Sequence, residues 1–370
     1  MPSSGWDQDG IAGRDEALFA IDLHGALTFQ DKIKLLAELV VVALSGTADG
    51  DGGLGEALVL HGSVRAVEKA ADGAAVLGGE GFLLGKRVDG HAGTVVGLQE
   101  VMANGFSFHK VRAVITGASS GLGAEFARQL APQADLLVLV ARRAEALEEV
   151  RRGLPRGAGQ VECVVADLGT EAGRQGLLAE IEARGLRPNL LINNAGLGDY
   201  GPLVSAPVEK LQLMLEVNVA ALTLITRRML PNLEAGSGIL NVSSLASTLP
   251  MPELAVYAAT KAYVTSFSEA LAIELMPRDI TVTCVCPGPT PTNFSRTAKR
   301  EDGTDTNRDG QALLRISPHQ VVAEALAGLA AGRACVFPGK GVKVAARLFR
   351  LMPRALLRLI LRRRTGQGSM

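Results

Sequence analysis

The 370-residue chain is long enough for one large domain or two small ones, and at 47% apolar residues it can bury a sizeable core. Its 38 basic and 38 acidic side chains cancel, but unevenly: residues 1–101 hold seven basic against fifteen acidic residues, a net of −8, and the remainder carries +8. Four cysteines without a C-x-x-C or a histidine cluster exclude the usual metal and redox motifs. The absence of any run of eighteen apolar residues argues against a spanning helix, and the N-terminus lacks a secretory pattern.

Residues 1–101 are rich in glycine, as in Gly50-Asp-Gly-Gly-Leu-Gly55, and only Asp31–Leu44 suggests a helix. The segment reads either as a genuine N-terminal extension or as an over-extended reading frame whose start is Met102. Its missing periodicity favours the second, and much of it is expected to be poorly ordered.

From Val111 the pattern becomes regular. Expected strands are Val111–Thr116, Asp135–Val140, Val161–Val165, Leu190–Asn193, Gly238–Val242, Ile280–Val285 and Ala334–Phe337. Between them fall expected helices at Leu122–Leu130, Ala144–Val150, Glu171–Ala183 and Val208–Leu233, the last broken at Pro231. A further helix carries Tyr257 and runs to Leu275, a polar loop spans Pro287–Ser317, and another helix covers Pro318–Ala331. Apolar strands alternating with helices imply an α/β fold with a doubly wound, Rossmann-like parallel sheet. The cysteines Cys163, Cys284, Cys286 and Cys335 lie in the apolar runs, as small buried hydrophobes of a reducing compartment would.

A glycine-rich turn, Thr116-Gly-Ala-Ser-Ser-Gly-Leu-Gly123, joins the first strand to the first helix. Gly117 permits the tight turn, Gly121 a close approach of backbone to a pyrophosphate, and Gly123 close packing of the helix. Ser119, Ser120 and Leu122 complete the cradle, and the helix N-terminus offers free N–H groups. The second strand ends Leu139-Val-Ala-Arg142-Arg143, with no acid before Glu145 to accept from a ribose 2′-hydroxyl. Arg142 instead suits a 2′-phosphate, so the expected cofactor is NADP(H). A solvated arginine pair is the plainer alternative.

Tyr257 and Lys261, at i and i+4, share a helix face, and Ser244 lies thirteen residues before Tyr257 at the end of a strand. Hydride arriving at a carbonyl carbon leaves charge on oxygen, which needs a proton donor and a fixed hydrogen bond.

The glycine turn, Ser244, Tyr257 and Lys261, in this order and spacing, resemble the short-chain dehydrogenase/reductase family from about residue 102 to the C-terminus. The resemblance implies Tyr257 as general acid/base, Lys261 favouring the phenolate and reaching the nicotinamide ribose, and Ser244 donating to the substrate oxygen. It implies Asn218 as the fourth catalytic residue, holding a water that relays protons to Lys261. It also implies Asp167 and Leu168 at the adenine, the Asn193–Gly196 stretch (Asn194, Ala195, Gly196) lining the cofactor, and Pro287, Gly288, Thr290 and Thr292 at the nicotinamide. Family members commonly build their subunit interface from the helices that hold Asn218 and Tyr257, so a homodimer or homotetramer is expected.

The substrate wall is expected from Leu197, Tyr200, Leu245, Leu249, Met251 and the loop 293–310. The first five carry no charge to grip a carboxylate or phosphate, which favours a lipophilic ketone or aldehyde; packing of the core is the alternative for these leucines. In the C-terminal tail, residues 341–370 following a domain of 102–340, basic residues recur every three or four positions: Lys340, Lys343, Arg347, Arg350, Arg354, Arg358 and Arg362. They alternate with leucines, Pro353 should split the helix, and the pattern suits either an anionic membrane surface or packing on the domain. The stripe lacks the aromatic side chains of nucleic-acid readers. The expectation is therefore a cytoplasmic NADP(H)-dependent oxidoreductase acting on a CH–OH group, with peripheral membrane contact through the tail. Its rivals are a non-catalytic NADP(H)-binding sensor and a different family chemistry such as epimerisation.

Overall fold

The structure, a computed structural model, describes residues 57–60, 82–85, 105–300, 314–353, 355–358 and 361. The expected helix at 31–44, the order of residues 1–101 as a whole, positions 301–310 of the substrate loop and Arg354, Leu359, Ile360 and Arg362–Arg364 of the tail lie outside them. The chain divides into two units, Met1–Val101 and Met102–Met370. In the first, β1 (Ala57–Leu60) pairs antiparallel with β2 (Phe82–Gly85), an element pair that the glycine-rich sequence did not announce.

The second unit is built on seven parallel strands: β3 (Val111–Thr116), β4 (Ala134–Ala141), β5 (Gln160–Val165), β6 (Leu190–Asn193), β7 (Gly238–Val242), β8 (Thr281–Val285) and β9 (Cys335–Val336). Their order is β5-β4-β3-β6-β7-β8-β9, so the winding reverses between β3 and β6. The apolar runs of the sequence have a direct cause. Val111, Ala113, Ile115, Leu137 and Leu139 enter one core cluster, whereas Val114, Leu136, Val138 and Val140 enter the other. Period-two alternation thus supplies both faces of a sheet covered on both sides. Each such Val, Leu or Ile side chain, when fully buried, contributes about 1.5–3 kcal/mol.

The covering helices are α1 (Gly121–Leu130), α2 (Ala144–Arg152), α3 (Glu171–Ala183), α4 (Val208–Leu215), α5 (Leu222–Met229), α6 (Ala255–Leu275), α7 (Phe294–Ala298), α8 (Pro318–Ala330) and α9 (Lys340–Leu351). Thr170 caps α3 by accepting from Gly173 N, and Ser317 caps α8 by accepting from Gln320 N. The long helix expected over 208–233 is in fact interrupted. A π-helical stretch, Glu216–Ala221, separates α4 from α5, and a 3₁₀ turn at Leu230–Asn232 ends the run at Pro231. The apolar period cannot reveal the π turn, because one extra residue in a turn leaves the surrounding pattern nearly unchanged.

The cysteines are free thiols. Cys286 lies 3.8 Å from Cys284 and 3.9 Å from Cys335, sulfur to sulfur, beneath the sheet's C-terminal edge. The tail packs on the domain through Val342 and Ala346, which are buried against Leu245. As the sequence indicated, α9 stops before Pro353, and a short helical turn resumes at residues 355–358.

Candidate active site

The strands end at a cleft of about 1700 Å³ that opens over the point where the winding reverses. Loops converge there because parallel strands deliver all their C-terminal ends to one edge, the usual ligand position in doubly wound sheets. One half of the cleft is the glycine turn. Gly117 sits at φ +66° and Gly121 at φ +57°, and a Cβ on Gly117 would stand 2.8 Å from Ala195 Cα. Gly123 does not line the cleft. It is pressed against the turn, where a Cβ would fall 2.2 Å from Gly117 O, so only glycine fits. Asn194 ties the turn to β6 by donating from Nδ2 to Thr116 O (2.9 Å) and Gly117 O (3.2 Å).

These constraints hold open a cradle at the N-terminus of α1, which has no side-chain cap and no acidic residue in its first turn. Uncapped N–H groups and the positive end of the helix dipole favour an anion. Ser119, Ser120, Gly121, Leu122, Asp167, Leu168, Asn194, Ala195 and Gly196 all line the cleft. So does Arg142, whose side chain is exposed at the end of β4 beside Arg143. Pro287, Gly288, Thr290 and Thr292 line the opposite wall. The residues present therefore fit an elongated dinucleotide with a phosphate-bearing centre.

The other half contains the reactive groups. Ser244 caps a 3₁₀ turn, its Oγ accepting from Ala246 N (3.1 Å), and lines the cleft together with Tyr257. Its neighbour Ser243 is committed elsewhere, donating to Lys261 O (2.8 Å) and sharing a hydrogen bond with Thr265. The thirteen-residue spacing falls on Ser244, whose hydroxyl is not engaged with Lys261 O and Thr265 as that of Ser243 is. Burial pushes the Tyr257 phenol above its ordinary range, with the nearby Ser244 hydroxyl opposing. Lys261 is only 4% exposed and donates to Val242 O (2.9 Å), and burial lowers its pKa to about 8. Its Nζ lies 5.9 Å from the centre of the Tyr257 ring.

Asn218 is brought near but does not line the cleft. Its Oδ1 accepts from Leu197 N (2.8 Å), and its Nδ2 donates to Leu197 O (2.9 Å) and Thr260 Oγ1 (3.0 Å). The side-chain amide thereby fastens the loop after β6 to α6.

Leu197, Tyr200, Leu245, Leu249 and Met251 line the cleft beside these groups. Phe294, in the expected loop, lies beside them, whereas sequence reasoning missed Phe349 and Leu361 of the tail. Phe294 packs at 5.5 Å from the Tyr257 ring. Phe349 and Leu361 belong to the tail, so the tail closes one side of the cleft as well as facing solvent. The signal in the sequence was the apolar stripe Val342, Ala346 and Phe349, spaced by four and three residues.

A doubly wound sheet with an open glycine turn at its switch point, beside a Ser-Tyr-Lys group, defines the class of dinucleotide-dependent oxidoreductases. Residues 111–303 match the short chain dehydrogenase family, and the chain belongs to it. An uncharacterized oxidoreductase from Methylorubrum extorquens is 33% identical over 187 residues, half of this chain and 75% of that protein. Among solved structures, a 3-ketoacyl-(acyl-carrier-protein) reductase from Brucella melitensis in complex with NADH has a TM-score of 0.54 at 30% identity, covering 64% of this chain and 100% of that one. A short chain dehydrogenase from Burkholderia cenocepacia in complex with NADP has a TM-score of 0.56 at 27% identity, covering 64% and 99%. Relatives of this fold thus bind either nicotinamide dinucleotide.

Proposed function

We propose that this oxidoreductase uses NADP(H) to interconvert a carbonyl and an alcohol on a lipophilic substrate. The observation that carries the reading is the meeting of Ser244, Tyr257 and Lys261 in one cleft with the glycine cradle. The cofactor supplies the hydride. Tyr257 gives its proton to the developing alkoxide, and Ser244 donates a hydrogen bond to the same oxygen. Lys261, charged, favours the phenolate that remains and contacts the nicotinamide ribose. Asp167 and Leu168 receive the adenine, and Pro287, Gly288, Thr290 and Thr292 hold the nicotinamide end. Arg142 selects the 2′-phosphate as a donor where an acid would be needed for NAD. The lipophilic substrate follows from the wall of Leu197, Leu245, Leu249, Met251, Phe294 and Phe349. The acyl substrate named for the Brucella melitensis relative is of the same character.

A sensor that only binds cofactor has no use for a Tyr–Ser pair beside it, which favours catalysis over that rival. Exposed Leu215, Leu224, Tyr263 and Ile273 on α4, α5 and α6 support a homo-oligomer built on these helices.

The test is oxidation of NADPH and NADH by purified protein against graded apolar ketones and aldehydes. Expected are a preference for NADPH that Arg142→Ala erodes by roughly tenfold or more, and a loss of about 10²–10⁴-fold in Tyr257→Phe with NADPH binding intact. Tight NADPH binding without turnover of any carbonyl would return the weight to the sensor.

A further inference from the structure

The cleft is bordered by two loops that meet through a buried ion pair serving neither the cofactor cradle nor the reactive groups. Asp199, in the loop after β6, and Arg300, just past α7, are separated by 101 residues, and their side chains are only 4% and 5% exposed. Arg300 Nε donates to Asp199 Oδ1 (3.0 Å) and Nη2 to Asp199 Oδ2, a two-pronged contact. Arg300 Nη1 also donates to Pro202 O (3.1 Å) and Ser205 Oγ (2.9 Å). Lys210, on α4, joins from the other side, 3.2 Å from Asp199 Oδ1 and donating to Ala298 O (3.3 Å) and Lys299 O (3.1 Å). The backbone follows: Tyr200 N donates to Ala298 O (3.0 Å), and Gly201 N to Glu253 O (2.8 Å).

All of this bears on α7. Neither Asp199 nor Arg300 lines the cleft, whereas Phe294, at the other end of that five-residue helix, does. Gly198, next to Asp199, leaves just enough room: a Cβ there would fall 2.6 Å from Phe294 Cζ. Phe294 is thereby held between Gly198 and the Tyr257 ring.

We propose that Asp199 and Arg300 form a latch that positions Phe294 over Tyr257, and that Phe294 selects the shape of the group flanking the substrate carbonyl. The inference rests on the carbonyl-reductase reading above. A flat, apolar flanking group packs against the phenyl face and points its carbonyl oxygen at Ser244 and Tyr257; a small one gains nothing from it. Asp199 and Arg300 are positioning residues, and Phe294 is the residue that touches substrate.

Hydrogen exchange of the Tyr200 and Gly201 amides in the NADPH-bound protein tests the latch without any turnover. Asp199→Asn should speed exchange at both, with the NADPH Kd within about twofold of wild type, since cradle residues do not contact the pair. The ratio of kcat/KM for 1-phenyl-1-propanone over butanone tests the selection. Phe294→Ala and Asp199→Asn should each lower that ratio by roughly tenfold, the scale on which apolar-pocket and positioning losses fall. Should Asp199→Asn fold poorly because Arg300 loses its buried carboxylate partner, Asp199→Asn/Arg300→Gln removes both charges and should lower the ratio likewise. Unchanged exchange, or an equal fall for both ketones, would overturn the latch. A Phe294→Ala ratio equal to wild type would overturn the selection. If the wild-type protein reduces neither ketone but turns over others of the graded set, the selecting role falls alone; if it turns over no carbonyl, the carbonyl-reductase reading falls with it, while exchange still decides the latch.

Discussion

Lys261 holds its charge in a place that resists it. Its ammonium is buried beneath β7 with one acceptor, Val242 O, and burial lowers its pKa to about 8. The sign of the consequence is definite. Above the free-lysine value of about 10.4, folded and unfolded chains are both neutral at this residue. As pH falls from there, the unfolded chain takes the proton first, and stability declines until the folded lysine protonates near 8. We therefore expect wild type to gain roughly 1–3 kcal/mol relative to Lys261→Met between pH 8 and pH 10.5. Urea unfolding of both proteins at the two pH values checks this, and parallel pH dependences would count against it. The phenol of Tyr257, pushed up by burial, needs the positive charge of Lys261 to serve as a base. The penalty on the lysine is thus borne where the chemistry requires it. The Y-x-x-x-K spacing announces the pair; only packing sets how strongly each is perturbed.

Two elements near the site obey constraints of different visibility. The glycine turn was legible because its glycines answer to local geometry, a positive φ at Gly117 and a close approach at Gly123. Gly123→Ala should lower stability by about 1–3 kcal/mol and weaken NADPH binding together, since its Cβ would push on the backbone oxygen of Gly117. Thermal unfolding with and without NADPH separates the two effects, and an unchanged midpoint would show that the turn can move aside. The π stretch Glu216–Ala221 was not legible. Within it Asn218 reaches both Leu197 and Thr260, partners brought near by the sheet and by α6.

At the scale of the molecule, the tail packs on the domain, one of the two alternatives the sequence left, and its outward face carries a prediction for the other. Val342 and Ala346 pack on the domain, and Phe349 borders the cleft, while Val344 (55%), Leu348 (58%) and Leu351 (82%) face outward among exposed Lys340, Lys343, Arg347 and Arg350. Lys343 and Arg350 also pair with Glu324 and Glu269. No helix among the described residues is long and apolar enough to cross a membrane, so any membrane contact of α9 would be at the surface. If this face meets an anionic surface, the protein should sediment with phosphatidylserine-containing vesicles and not with purely phosphatidylcholine ones, more weakly as salt rises. Leu348→Asp/Leu351→Asp should release it; retention by that variant would assign the outward leucines to another role.

The sequence by itself determined the parallel α/β order, the glycine cradle and the Ser244–Tyr257–Lys261 group, because each depends on spacing along the chain: period two in strands, four on a helix, a strand end beside a turn. The tertiary structure decided what depends on residues far apart. Asp199 and Arg300 find each other across 101 positions, Phe294 reaches the Tyr257 ring, Cys335 comes to lie beside Cys286, and the tail returns to the mouth of the cleft. A spacing rule records local geometry alone. These contacts arise only when parallel strands bring the loops at their C-terminal ends to one edge of the sheet.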